Sequence, residues 1–201
     1  MARTEARDDA AAPRRVPLSR DAWVAAAAKV LERRGISAVK IDALARQLKV
    51  TRGSFYFHFT GLKDLHEALL ATWRVRNCEP FDVLATRADL KAVELFATVV
   101  HSWVDENPFS PGLDLAIRDW SRASRKLAAE MARIDDLRMS LLRRAFIEMG
   151  YSTDESDVRA RLTYFHQIGY YTISFKETAA ARKRLQPLFG DVLLGPRGVE
   201  P

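Results

Sequence analysis

Thr51, Arg52, Gly53 and Ser54 stand side by side, followed by Tyr56, Phe57 and His58. A run of small, hydroxyl and basic groups is chemically suited to a nucleic acid. An arginine forks onto a guanine edge, hydroxyls and backbone N–H groups bind phosphate oxygens, and small residues let the backbone approach. Catalytic patterns are missing by comparison. There is no H-E-x-x-H, no phosphate loop, no nucleophile elbow and no Cys–His pair. His58 and His66 lie in and beside this run, while His101 and His166 are isolated in apolar stretches, where a histidine is more often a satisfied core residue than a catalyst. Cys78 is the sole cysteine, so neither an internal disulfide nor a metal or redox cluster is expected. The reading is a binding protein without catalytic residues, metal or cofactor.

Side chains that read a ligand must be held by something rigid. Before the run, Ile41, Leu44, Ala45 and Leu48 recur at i, i+3, i+4 and i+7, one face of a short helix. Lys49 and Val50 leave room for a tight turn, and Thr51 can cap a third short helix holding Phe55, Tyr56 and Phe59, broken at Thr60-Gly61. Two short amphipathic helices joined in this way form a helix-turn-helix whose second helix can enter a major groove. The periodicity alone fits two packed helices of an enzyme or a structural protein equally well.

Around this pair the sequence is helical throughout. Ser19 caps a first helix with Trp23, Ala27, Val30 and Leu31 on one face, ended by Gly35. A fourth runs from about Leu62 to Asn77, with Leu65, Leu69 and Trp73 on its face. Val93, Phe96, Ala97, Val100 and Val104 form the stripe of the next, stopped by Asn107-Pro108. A short helix covers Leu113 to Trp120. A long one has Leu127, Met131, Ile134, Leu141, Leu142 and Ala145 inward and ends at Gly150. Ser152 and Glu155 have the spacing of a capping box, opening a helix whose face is Val158, Leu162, Phe165, Gly169 and Thr172. A last helix spans about Thr178 to Phe189. No strand alternation and no repeat are visible, so the fold class is all-α.

The 201 residues suffice for a small domain and a larger one. Residues 1–78 carry 15 Lys+Arg against 8 Asp+Glu, a net of +7, and residues 79–201 carry 17 against 18, a net of −1. The positive excess thus coincides with the candidate reader, which fits a polyanionic partner there and fits ordinary surface charge with a basic tail equally well. The polar, partly acidic leader and the absence of any long apolar run point away from a signal peptide, a transit peptide or a membrane span, and towards the cytoplasm.

The run VTRGSFYFHF, preceded by the I-x-x-L-A of Ile41, Leu44 and Ala45, closely resembles the signature of the TetR (tetracycline-repressor-like) family: T-v-x-x-I-A, then G-V-s-x-g-t-l-Y-x-H-F, then x-x-K-x-x-L. The likeness covers roughly residues 19–73. It implies a three-helix reader, a fourth helix joining it to a helical ligand-binding domain, and dimerisation through the last two long helices, about 153–190. It places Arg52, Gly53, Ser54, Tyr56, Phe57 and His58 where the family contacts DNA, with Tyr56 and His58 on phosphates and Arg52 and Ser54 on bases. Lys40 stands where the family has a capping, phosphate-donating threonine. That loses a cap worth about 1 kcal/mol while retaining a positive charge. Lys49 replaces the turn glycine, and Leu62 the lysine that opens the fourth helix, which shifts that phosphate role to Lys63.

The resulting division is a flexible arm over 1–17, read as a leader with no role ahead of the alternative that Arg14 and Arg15 reach a minor groove, a reader with its linking helix over 18–77, and a ligand and dimer domain over 78–195. The expected partners are a double-stranded DNA operator, a second copy of the chain and a small apolar effector. Candidate pocket residues are Phe96, Trp103, Trp120, Met131, Tyr164 and Tyr171, large or amphipathic side chains suited to such an effector. Arg118, Asp119 and His166 are candidate polar anchors. A regulator that has lost its operator and acts as an adaptor is the remaining reading, suggested only by Lys40, Lys49 and Leu62.

Overall fold

A computed structural model describes residues 18–173 and 175–195. The arm over 1–17, with Arg14 and Arg15, lies outside the described residues. Those residues fold into α-helices joined by short turns, with no strand among them.

Three short helices build the N-terminal unit. In α1, Arg20–Arg34, the Ser19 hydroxyl accepts from the Ala22 amide, and Gly35 ends the helix at φ 75°. Helix α2, Ile41–Leu48, ends on Lys49 at φ 56° and ψ 40°. The Lys49 amide donates to Arg46 O at 3.2 Å and the Val50 amide to Ala45 O at 3.0 Å. These are the paired bonds of a left-handed C-terminal cap, normally a glycine's place. Helix α3, Arg52–Tyr56, starts on Thr51, whose hydroxyl accepts from the Ser54 amide. Phe55 is fully buried, set edge-on to Trp23 at 5.3 Å and stacked on Phe59 at 5.0 Å. One buried ring thus anchors a helix too short to stand alone.

Helix α4, Leu62–Trp73, buries Leu65, Leu69 and Trp73. It does not stop at Asn77. A π turn over Arg74–Cys78 carries it into α5, Glu79–Thr86, with Pro80 in the first turn. Proline has no N–H to continue the α ladder, and the wider turn is a common way to absorb the missing bond. The remaining helices are α6 (Ala92–Val104), α7 (Pro111–Ser121), α8 (Arg125–Glu148), α9 (Thr153–Thr172) and α10 (Ala179–Leu194).

Helix α8 is the axis of the larger unit, packed on α5, α6, α7 and α9, while α7 also meets α1 and α4. Its inward stripe is buried as its spacing indicated: Leu127, Met131, Ile134, Leu141, Leu142 and Ala145. Two other helices turn differently. The core face of α6 is Leu95, Phe96, Val99 and Trp103, so only Phe96 of the periodic stripe is in the core. The buried face of α9 is Ser156, Ala160, Thr163 and Tyr164, whereas Val158, Leu162 and Phe165 are more than half exposed. No helix among the described residues is long and apolar enough to cross a membrane.

Candidate nucleic-acid interface and an apolar groove

The two walls of the helix-turn-helix leave one set of side chains in solvent. Arg52 and Tyr56 lie one turn apart on α3, and the guanidinium Nη2 donates to the Tyr56 hydroxyl at 3.3 Å. Its Nη1 is 3.6 Å from the Asp42 carboxylate on α2. The arginine is therefore drawn across the front of the pair, though an exposed ion pair of that length is worth little energy. Phe57, just past the helix, is 87% exposed and Tyr56 50%. Thr51 and Gly53 are exposed, and Ser54 and His58 half-buried. A Cβ on Gly53 would meet only the Thr51 hydroxyl, at 3.7 Å. The folded chain thus leaves space there, and the small residue keeps the outer surface low.

Lys40 is exposed at the start of α2 and gives no side-chain cap, and Lys63 is exposed on the first turn of α4. Leu62 packs against the core. Asp64 clamps the start of α4, accepting from the Thr60 amide at 3.0 Å and from Arg20 at 3.2 Å.

A second constellation was not foreseen. Arg138 and Asp114 are buried at 0% and 2% exposure. Asp114 accepts from Trp73 Nε1 at 2.9 Å, from Asn77 Nδ2 at 3.3 Å and from Arg138 at 3.1 and 3.2 Å. Arg138 also donates to the Asn77 carbonyl at 2.7 Å, within the π turn. Beside it Arg118 grips Asp135 through two bonds of 2.6 and 2.7 Å, and the Tyr164 hydroxyl donates to Asp135 at 2.6 Å. Burial pushes the Tyr164 hydroxyl above its ordinary pKa. Two arginines and two aspartates thus balance inside the protein and tie α4 and its π turn to α7, α8 and α9. The available signal was positional: Arg138 sits on the apolar stripe of α8 between Ile134 and Leu141, where a charge needs a partner. Cys78, in the same turn, is buried and its thiol is pushed up to about 12, a packed group with little thiolate.

Among the pocket candidates, Phe96, Trp103 and Tyr171 line a groove of about 460 Å³ between α6, α9 and α10. The other three lie elsewhere. Met131 is in the core, Tyr164 is in the charged cluster, and Trp120 stands edge-on to His66 at 5.2 Å. Of the anchors, Arg118 is tied to Asp135, Asp119 is 3.7 Å from Arg122 at the surface, and His166 lines the groove with its ring 4.7 Å from Phe189. Val93, Ala97, Val100 and Val104, the rest of the α6 stripe, line it too. Among the described residues no group of three or more His, Cys, Asp or Glu side chains assembles to hold a metal.

Residues 24–69 match the family described as bacterial regulatory proteins, tetR family. Comparison with curated proteins gives no match. Among solved structures, the chain is similar to AmtR from Mycobacterium smegmatis, with 21% identity, a TM-score of 0.63, and 94% of this chain and 90% of that one covered. It is also similar to a protein from Rhodococcus sp. described as a TetR-family transcriptional regulator, with 19% identity, a TM-score of 0.55, and 88% and 98% covered. Residues 24–69 thus match the tetR family of bacterial regulatory proteins in sequence, and nearly the whole length of the chain is similar in fold to these two solved structures.

Proposed function

We propose that the protein is a transcriptional repressor that binds a palindromic DNA operator as a homodimer and is released by a small apolar or amphipathic effector. It acts by binding, with no catalytic step. The observation that carries this reading is the outward face of α3: Arg52 and Tyr56 held together on a helix that one buried ring fixes to α1. In this reading Arg52 and Ser54 meet base edges, and Tyr56, His58, Lys40 and Lys63 meet phosphates. Thr51, Gly53 and Phe57 complete the contact surface. The reader occupies 18–77 and the effector and dimer unit 78–195.

The dimer seam is assigned to 153–190. On α9 the stripe Val158, Leu162 and Phe165 is 54, 58 and 62% exposed, an apolar face of the kind that marks a contact surface. A two-fold dimer presents two readers to two half-sites. Helix α4, joined to α7, α8 and α9 through the charged cluster, is the lever by which an effector bound above shifts the readers, provided that it binds the spread state better.

Binding to the upstream DNA of the chain's own gene, measured across salt and against half-site changes, tests the reading. Arg52→Ala should lose about 1–3 kcal/mol on the best site and relax preference at one base pair per half-site. Tyr56→Phe should weaken all sequences alike with little change in salt slope, and Lys63→Ala should reduce that slope by about 0.9 per lost phosphate contact. If Arg52→Ala weakens every site equally and flattens the salt dependence, Arg52 is a phosphate anchor. If no substitution changes binding, the reader is misassigned.

A further inference from the structure

Helix α10 is pinned at both ends and lifted in the middle. At its start, Arg182 donates to Glu106 Oε1 at 2.8 Å and to the Tyr170 hydroxyl at 2.8 and 3.0 Å. At its end, the Tyr151 hydroxyl donates to the Leu194 carbonyl and Arg159 to the Leu193 carbonyl at 2.8 Å. These donors satisfy last-turn carbonyls that the helix leaves open. Between the pins lie Pro187, which has no amide proton for the ladder, and Gly190, where an added Cβ would meet nothing within 4 Å. The middle of α10 therefore bridges the groove without filling it.

The groove walls are mainly apolar: Val93, Ala97 and Val100 from α6, and Phe189, Leu193 and Leu194 from α10. Its volume of about 460 Å³ lies in the range of small-molecule sites. The arginine on the wall is already committed. Arg182 is paired with Glu106 and Tyr170, and the Tyr170 hydroxyl donates to Glu177 Oε2 at 3.0 Å. An anionic ligand entering here would leave water without meeting an uncommitted positive charge, which is strongly unfavourable, whereas a cation would meet the Glu177 carboxylate, whose charge a neutral hydroxyl does not balance. The remaining polar groups on the wall include His166, Gln167 and Gln186. Partial desolvation lowers the pKa of His166, so at neutral pH it presents an uncharged imidazole able to donate or accept one hydrogen bond.

We propose that the groove between α6, α9 and α10 is the effector site and that it takes a largely apolar molecule whose polar head carries no negative charge. As an effector site it rests on the regulator reading above; as a binding site it stands alone. Its outer wall, α10, also carries Leu188 and Val192, 57 and 77% exposed. An occupant thus presses on the helix that the dimer reading places at the seam.

The test uses the full chain without DNA. Nile red, a neutral dye that brightens in apolar sites, is bound and then displaced by 1-decanol below its solubility limit, or by decanoate or decyltrimethylammonium below their micellar concentrations. The expected result is displacement by decanol and by decyltrimethylammonium at concentrations at least ten-fold lower than by decanoate. Ala97→Trp, filling the groove from α6, should abolish the dye signal with an unchanged melting profile. Gly190→Trp, filling it from α10 where a Cβ has open space, serves as the second variant. Displacement by decanoate as readily as by the other two heads, dye binding that survives both variants, or a groove closed to dye once the chain dimerises would each overturn the proposal. Operator affinity is then measured with and without decanol on the same samples. Decanol that binds without releasing DNA refutes the effector role alone, and operator binding with an empty groove leaves the DNA reading intact.

Discussion

Asp114→Asn should be among the most damaging single-atom changes available to this protein. The carboxylate is 2% exposed and accepts four hydrogen bonds, two of them from Arg138. The amide keeps one acceptor oxygen but turns an N–H₂ towards other donors, and it removes one of the two negative charges that balance Arg118 and Arg138. Asp135 cannot replace it, because it is 3.9 Å from Arg138 and already held by Arg118 at 2.6 Å. Arg138, fully buried, is left with an uncompensated charge. Breaking a buried pair from one side costs about 3–5 kcal/mol, and in a chain of this length each kcal/mol moves the melting temperature by about 2–4 °C. The expected loss is therefore about 6–20 °C, with the urea midpoint shifted and its slope unchanged. Asp114→Asn combined with Arg138→Met removes both charges and should recover about 2 kcal/mol of that loss, since neutral packing often replaces a buried ion pair without net cost. Circular dichroism of the two single variants and the double variant completes the cycle. A single variant that melts within 2 °C of the parent, or losses that simply add in the double variant, would refute the reasoning.

Lys49 holds φ 56° at the end of α2, where a non-glycine residue costs about 1–2 kcal/mol; Lys49→Gly should raise the melting temperature by 1–3 °C after about 0.4–1 kcal/mol is returned to unfolded-state entropy, and an unchanged or lower value contradicts it. Phe165→Asp, at a site 62% exposed on α9, should give a folded monomer with reduced operator affinity, seen by sedimentation; a dimer that persists removes α9 from the seam. His66 is held below its ordinary value of 6.5 chiefly by burial, against a smaller opposing effect of Glu67. The unfolded chain then binds its proton first as pH falls, so stability drops below about pH 6.5 and levels off below the folded pKa. His66→Phe, which keeps a ring against Trp120, should reduce that fall between pH 7 and pH 5 in denaturant titrations, and an identical pH profile would contradict it.

The features legible in the sequence are those settled within a few residues. Ser19, Thr51 and Ser152 cap their helices because each hydroxyl reaches an amide three positions on. Gly35 and Lys49 end theirs because the backbone there must turn left-handed. The all-helical class follows from the same short-range periodicity. The surface of α3 was legible because its chemistry lies in consecutive residues. Spacing shows that a helix has an apolar stripe and says nothing of what that stripe will meet. The α6 stripe from Val93 to Val104 and the α9 stripe from Val158 to Phe165 have equally good helical spacing. One lines a groove and the other faces outward, because α8 claims the neighbouring face of each helix. The continuation of α4 through a π turn, and the choice of Arg138 as a core residue, depend on Asp114 and Asn77 arriving from 24 and 61 residues away. A buried charge is tolerable only once its partners are in place, and it is the packing of α4, α7 and α8 together that supplies them.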